Sequence, residues 1–348
     1  MRIGIPRALL SHSYLPLWAT FWQKLGHEVL LSGCTTKTTL DRGVKLAVDE
    51  ACLPIKIAYG HLGELKAADA IFLPRLIRVE KRAYLCPKFM GLPDMLRAAP
   101  SDWPPLIDVK VDLRRESLWQ VARAVGKFCD AGLIAIWRAL AAGLYEQRRS
   151  EALLQSRGLT PPEFLTPLPS GQSSVLPPWR RLRLQLAARA DLTPRPRRLR
   201  LGVLGHPYNL YDPLANFGLF RILQELEVEV QTPEMLPAPL LERWAARLPK
   251  PLFWTFGKRM VGAAYYWLSS RQVDGLIHLL SFGCGPDSLV GELIQREASR
   301  RRRVPFLLLT VDEHTGEAGF RTRLEAFIDM LRQQKARAGK GRPPWEPA

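Results

Sequence analysis

The run Gly275-Leu-Ile-His-Leu-Leu-Ser-Phe-Gly-Cys-Gly-Pro-Asp-Ser288 reads as a strand to Phe282, a tight loop, and a helix that opens at Pro286 and continues to Arg300. Proline suits the first helical position because the N–H it lacks would be unpaired there anyway. Outward from this run the alternation persists. Leu199 to Leu204 is a strand, Leu214 to Leu226 a helix, Val228 to Gln231 and Pro305 to Leu309 strands, and Arg321 to Leu331 a closing helix. Upstream the plan repeats, with strands at Arg2 to Ile5, His27 to Ser32, Ala70 to Leu73 and Leu106 to Val111. Helical stretches lie between and after them at Tyr14 to Leu25, Thr39 to Val48, Pro54 to Lys66 and Leu92 to Ala98, with one or two longer helices from Leu118 to Arg148. Such alternation specifies an α/β fold of two Rossmann-like, doubly wound domains with mostly parallel sheets. The domains span residues 1–155 and 199–332. A Pro/Arg-rich connector, 156–198, joins them, and a basic tail, 333–348, reads as disordered.

With 348 residues and 47% hydrophobic content, the chain is too long for one small domain and too apolar for disorder. Its five cysteines are odd in number and dispersed, which argues against a disulfide scaffold and for a reducing, cytoplasmic home. The most apolar stretch, Ala131 to Tyr145, is interrupted by Arg138, so no window reaches the roughly 18 uncharged apolar residues of a membrane helix. Of the net charge of +17, 15 charges fall in residues 180–200, in Arg300 to Arg303 and in the tail from Arg332 to Glu346. Solvated connector and terminal charge explains that placement, and no recognition helix, zinc finger or aromatic-basic pattern speaks for nucleic acid. A binding module that uses Arg195, Arg197, Arg198 and Arg200 on nucleic acid or an acidic partner is an alternative from another class.

In doubly wound sheets ligands bind beyond the carboxyl ends of the strands. Three cysteines fall in such loops, each with a proline within two residues: Cys52 before Leu53-Pro54, Cys86 before Pro87, and Cys284 before Gly285-Pro286. Cys52 and Cys284 thereby stand just before helix N-termini, where free N–H groups and the helix dipole stabilise a thiolate or an anionic cluster. Cys129 reads as core within the apolar helix from Val121 to Leu140, and Cys34 as a structural residue in a polar loop. Zinc normally uses paired CxxC or adds His and carboxylate, whereas a [4Fe–4S] cluster tolerates dispersed cysteines and, held by three, keeps one iron open. Spacing alone leaves the metal undecided.

Six runs carry a resemblance that extends in order from residue 1 to about 332 and fails in the connector and tail. They are Ile3-Gly-Ile-Pro-Arg-Ala-Leu-Leu10, Asp49-Glu-Ala-Cys-Leu-Pro-Ile-Lys56, Cys86-Pro-Lys-Phe-Met-Gly-Leu-Pro-Asp94, Gly205-His-Pro-Tyr-Asn-Leu-Tyr-Asp212, Gly283-Cys-Gly-Pro-Asp-Ser288 and Asp312-Glu-His-Thr-Gly-Glu-Ala-Gly319. The sequence resembles the acyl-CoA dehydratase activase-related family, itself related to the iron–sulfur subunits of 2-hydroxyacyl-CoA dehydratases. The resemblance implies Rossmann-like domains with a [4Fe–4S] cluster at their interface, and Cys52, Cys86 and Cys284 at the matching positions. It further implies low-potential electron transfer or dehydratase-type chemistry on an acyl-CoA or similar small molecule. No GxxxxGK[ST] loop is present, so the resemblance assigns ATP hydrolysis to a separate activator that would reduce this chain. An electron carrier or assembly partner without catalysis is the other alternative, and a homo- or hetero-oligomer is compatible with either.

The polar neighbours supply candidate roles. Asp287 and Ser288 occupy the first turn after Cys284, as a helix cap or a cofactor contact. Asp312, Glu313 and His314 follow a strand end, where clustered ionisable groups suggest a site. His206 ends the second domain's first strand and could pass a proton to a bound acyl group. Arg7 ends a strand, and Lys56 and Lys88 closely follow site cysteines. Arg7 and Lys88 are the preferred cations to lower a thiolate pKa, neutralise a cluster or hold a CoA phosphate.

Overall fold

The computed structural model describes residues 1–157, 174–175, 199–301 and 304–338. In the N-terminal half the strands are β1 (Arg2–Ile5), β2 (Glu28–Leu31), β3 (Ala70–Phe72), β4 (Arg75–Arg78), β5 (Leu106–Ile107) and β6 (Lys110–Asp112). The helices of that half are α1 (Ser11–Lys24), α2 (Lys37–Leu46), α3 (Leu53–Leu62), α4 (Pro87–Ala98), α5 (Leu118–Gly126) and α6 (Leu133–Arg157). Ser174–Val175 forms β7. The C-terminal half holds β8 (Arg200–Leu204), α7 (Pro207–Leu210), α8 (Leu219–Glu225), β9 (Glu229–Gln231), α9 (Ala238–Ala245) and α10 (Thr255–Ser270). It continues with β10 (Gly275–Ser281), α11 (Gly285–Arg301), β11 (Phe306–Val311) and α12 (Glu317–Ala338).

Two parallel sheets share one plan. The first runs β5-β3-β1-β2, with β7 added antiparallel to β2, and the second runs β11-β10-β8-β9. In each, the first strand pairs with the second on one side and the third on the other, and the fourth lies outside the third. The strand order therefore reverses between β1 and β3 in one sheet and between β8 and β10 in the other, which opens a crevice at the carboxyl ends of those strands. Strands β4 and β6 form a separate parallel pair.

Strand β10 is buried at all seven positions. On one face Ile277 and Leu279 join the largest apolar core, which also contains Ile55, Leu62, Ile71 and Phe89 of the N-terminal half, so the two halves pack through a continuous interior. On the other face Leu276 packs with Trp267 of α10 and Val290 of α11. Fully burying each such side chain contributes about 1.5–3 kcal/mol. Helices α2 and α3 approach at Gly43 and Gly60. A Cβ on Gly43 would lie 1.8 Å from the Lys56 carbonyl oxygen, and one on Gly60 would lie 1.9 Å from that of Thr39. This contact sets the position of α3 and of the cysteine that precedes it.

Several boundaries differ from the sequence reading. Helix α4 begins at Pro87, five residues before the apolar pattern starts at Leu92, because Pro87 takes the first helical position and Cys86 caps it. Leu106 to Val111 divides into β5 and β6, which belong to different sheets. Of the one or two helices expected from Leu118 to Arg148 there are two, α5 and α6, parted where Asp130 turns left-handed at φ 49° after a 3-10 turn at Lys127–Cys129. Cys129 consequently lies in that turn, half-buried, rather than inside a core helix. The alternation assigns nothing between Gln231 and Gly275, where α9 and α10 stand. Helix α12 runs to Ala338, six residues into the expected tail. Most of the connector, with Arg195, Arg197 and Arg198, lies outside the described residues, whereas Arg200 pairs with Glu229 at 2.9 Å. Among the described residues no helix is long and apolar enough to cross a membrane.

Candidate metal centre

Cys52 and Cys86 are the N-cap residues of α3 and α4, and Cys284 immediately precedes α11. In each case the cysteine carbonyl accepts a first-turn amide: Ile55 to Cys52 at 2.9 Å, Phe89 to Cys86 at 2.9 Å and Ser288 to Cys284 at 3.0 Å. The repeated Cys followed by proline thus places three thiols at three helix N-termini, whose dipoles favour negative charge. The thiols are mutually close. Burial pushes the Cys284 thiol up, and the charges of Asp287, Cys52 and Cys86 push the same way. Burial also raises Cys52, with Lys88 and the Ile55 amide opposing it. Cys52 and Cys86 come from the N-terminal half and Cys284 from the other. Their loops meet where Gly283, left-handed at φ +75°, passes 4.0 Å from the Glu50 carbonyl oxygen measured from the Cβ position it lacks.

An aromatic wall backs the thiols. The buried Tyr208 hydroxyl is raised far above its ordinary value by burial and then by the charges of Cys284, Cys52, Asp287 and Cys86. Its ring stacks on His206 with centroids 4.9 Å apart, and lies 5.5 Å from Phe89 and 6.4 Å from Phe256.

Asp287, fully buried in the first turn of α11, accepts from two imidazoles: His206 Nδ1 at 3.0 Å and His278 Nε2 at 2.8 Å. Burial would raise its carboxyl, but the charges and hydrogen bonds of the two histidines outweigh this and hold it well below the usual carboxylate range. His206 and Cys284 follow β8 and β10, the strands that flank the crevice of the second sheet. Among the described residues the one set of three metal-ligating atoms within 4.8 Å of one another is His206, Cys284 and Asp287. Both Asp287 oxygens are occupied by imidazole N–H groups, which suits a positioning network better than a mononuclear ligand set.

The remaining expected residues divide. Lys88 Nζ donates to the Glu50 carbonyl at 2.7 Å, beside Cys52. Lys56, buried, donates to the Asp49 carbonyl at 2.9 Å and forms an ion pair with Glu313. Burial would raise Glu313, but the Lys56 hydrogen bond helps to bring it below its ordinary value. Asp312 Oδ1 accepts from the His314 amide at 3.0 Å and the Thr315 hydroxyl at 2.7 Å, which ties up its own loop, and the His314 ring is exposed. The Ser288 hydroxyl donates to the Cys284 carbonyl at 2.9 Å. Arg7 lies two residues past β1, where its charge acts on His12.

Sequence reasoning passed over Tyr208 and His278. His278 had a signal, a lone imidazole in an otherwise apolar strand, and Tyr208 stood inside the quoted run that begins at Gly205.

Two family models match the sequence. The CoA enzyme activase uncharacterised domain covers residues 2–236, which include Cys52 and Cys86. The D-component of 2-hydroxyglutaryl-CoA dehydratase covers residues 216–331, which include Cys284. A search of curated proteins returns no match.

Proposed function

The chain belongs to the family of the CoA enzyme activase uncharacterised domain, and from that membership and the gathered thiols we propose that Cys52, Cys86 and Cys284 hold a [4Fe–4S] cluster. The protein then acts in low-potential electron transfer or dehydratase-type chemistry on an acyl-CoA or similar small molecule, reduced by a separate ATP-dependent activator. The observation that carries this reading is the convergence of three helix-capping thiols from two halves of the chain. Similarity of residues 216–331 to a dehydratase component supports it.

The donor set fits the group. It is all sulfur, which suits iron–sulfur chemistry and disfavours magnesium or calcium. Zinc normally arrives with paired CxxC, which these three dispersed cysteines lack, whereas a [4Fe–4S] cluster accepts such spacing. When bound, a cluster with three cysteine ligands supplies one-electron reduction at low potential and one iron free of protein ligands.

The chain's own residues do the rest. Helix N-termini and Lys88 offset thiolate charge, and Tyr208, Phe89 and Phe256 exclude water behind the sulfurs. Asp287 fixes His206 with Nδ1–H as donor, which leaves Nε2 to accept or deliver a proton beside Cys284. Asp312 shapes the loop that presents Glu313 and His314, and Ser288 orients the turn at Cys284.

The test is anaerobic purification followed by iron and sulfide quantitation and an electronic spectrum. About four irons and four sulfides per chain are expected, lost in Cys52→Ser, Cys86→Ser and Cys284→Ser and retained in Cys129→Ser. A wild-type protein that stays colourless after anaerobic reconstitution would sink the reading.

A further inference from the structure

The first sheet has the same strand order as the second, so it has its own crevice, at the carboxyl ends of β1 and β3. Where His206 and Cys284 stand in the second sheet, the first presents Arg7, just past β1, and the opening turn of the 14-residue helix α1. Arg7 is only 7% exposed, and its Nη1 is buried with no acceptor. Among the described residues no carboxylate pairs with it. His12, also 7% exposed, has neither ring nitrogen bonded, and the buried Ser11 hydroxyl has no partner. The first turn of α1 carries no acidic residue, and its N-cap, Leu10, gives no side-chain hydrogen bond.

A buried guanidinium without an anion is a costly arrangement, because the desolvation of the charge is not offset by any partner. Here the uncompensated groups cluster. Within six residues the chain offers a fork of guanidinium donors, a hydroxyl and an imidazole at a helix N-terminus, which is what backbone dipoles and cationic forks provide for an oxyanion. Burial, then the charges of Arg7 and His61, push the His12 imidazole down to about 3, so at neutral pH it is an uncharged donor and acceptor.

We propose that Arg7, Ser11 and His12 form a binding site for a phosphate-class oxyanion at the N-terminus of α1. It stands whether or not the three thiols carry a cluster. The anion would bridge the guanidinium and the Ser11 hydroxyl and accept from the His12 ring, satisfying every orphaned donor at once.

The test is thermal unfolding of the full-length protein against inorganic phosphate at constant ionic strength, with chloride as the reference anion. Phosphate is expected to raise Tm saturably in the wild type. Arg7→Gln should weaken apparent phosphate affinity by at least about tenfold while leaving the ligand-free Tm equal or higher, because it removes an uncompensated buried charge. Should Arg7→Gln fail to fold, Ser11→Ala and His12→Leu carry the same comparison, each expected to weaken phosphate severalfold. Competition by AMP assigns the anion to a phosphate ester and its absence assigns a free anion; both uphold the site. A wild type indifferent to phosphate, or a phosphate response unchanged in these variants, overturns it.

Discussion

Lys56 and Glu313 form an ion pair across the two halves of the chain, directly behind the cysteine that caps α3. The same ammonium holds the Asp49 carbonyl at 2.9 Å, so one buried side chain anchors the Cys52 loop to the loop after β11.

Glu313→Gln should lower unfolding stability by about 1–3 kcal/mol, a buried-pair value discounted for the partial exposure of the carboxylate. Lys56→Met with Glu313→Gln should recover part of that loss, and urea unfolding of the four variants gives the coupling. The Glu313 carboxyl is held below its ordinary value of 4.5. Its contribution is therefore complete above that pH and is lost as pH falls through the lower folded value. A pH-independent difference between wild type and Glu313→Gln would contradict this account.

Asp287 is the shared acceptor of His206 and His278. Asp287→Asn replaces one accepting oxygen with a donor that must face an imidazole N–H, at an expected cost of about 3–4 kcal/mol. The folded carboxyl lies below its ordinary 3.8, so its stabilisation is present above that value and fades as pH falls through the depressed one. Nitrogen-15 spectra of the histidines check the geometry: wild-type His206 should be protonated at Nδ1, and Asp287→Asn should change that tautomer. Unchanged His206 and His278 signals would refute the network.

Gly43→Ala and Gly60→Ala each drive a methyl group into the backbone of the facing helix. Overpacking of this kind costs about 1–3 kcal/mol or more. Because Cys52 is the N-cap of α3, both variants should also retain less iron after anaerobic reconstitution than a surface control such as Gly26→Asn. Full iron content with a lowered Tm would separate helix packing from thiol placement.

Lys88 favours the Cys52 thiolate. Lys88→Met should raise that thiol further and slow its alkylation in metal-free protein by about three- to tenfold at pH 8. Lys88→Arg should restore the rate, and Cys34 should be indifferent to both changes. Mass spectrometry of peptides after timed iodoacetamide exposure reads the outcome.

The strands that frame each crevice were legible because apolar runs bounded by glycine and proline admit few other readings. The cysteines were legible by the proline that follows each, although Cys86 yielded its helix start only when Pro87 was placed at the first helical position. Residues 232–274 were not. Helix α10 carries Phe256, Tyr265 and Trp267 beside Gly257, Gly262 and Ala263, so its apolar positions form no single stripe. The Asp287 network was half legible: Asp287 and His206 stood in quoted motifs, but their mutual contact spans 81 residues and depends on how β8 lies beside β10. Arg7 was singled out for its place at a strand end, while its lack of a counter-charge among the described residues is a fact of packing that sequence cannot express.

The division of the thiols between the halves has a consequence for how the protein is made. Cys284 follows Cys86 by 198 positions, which at roughly 5–20 residues per second is about 10–40 s of synthesis. Throughout that interval a nascent chain displays two helix-capping thiols and no third. Any inorganic group that needs all three can be completed only after Cys284 has been made, so loading follows the synthesis of the whole N-terminal half by construction of the fold.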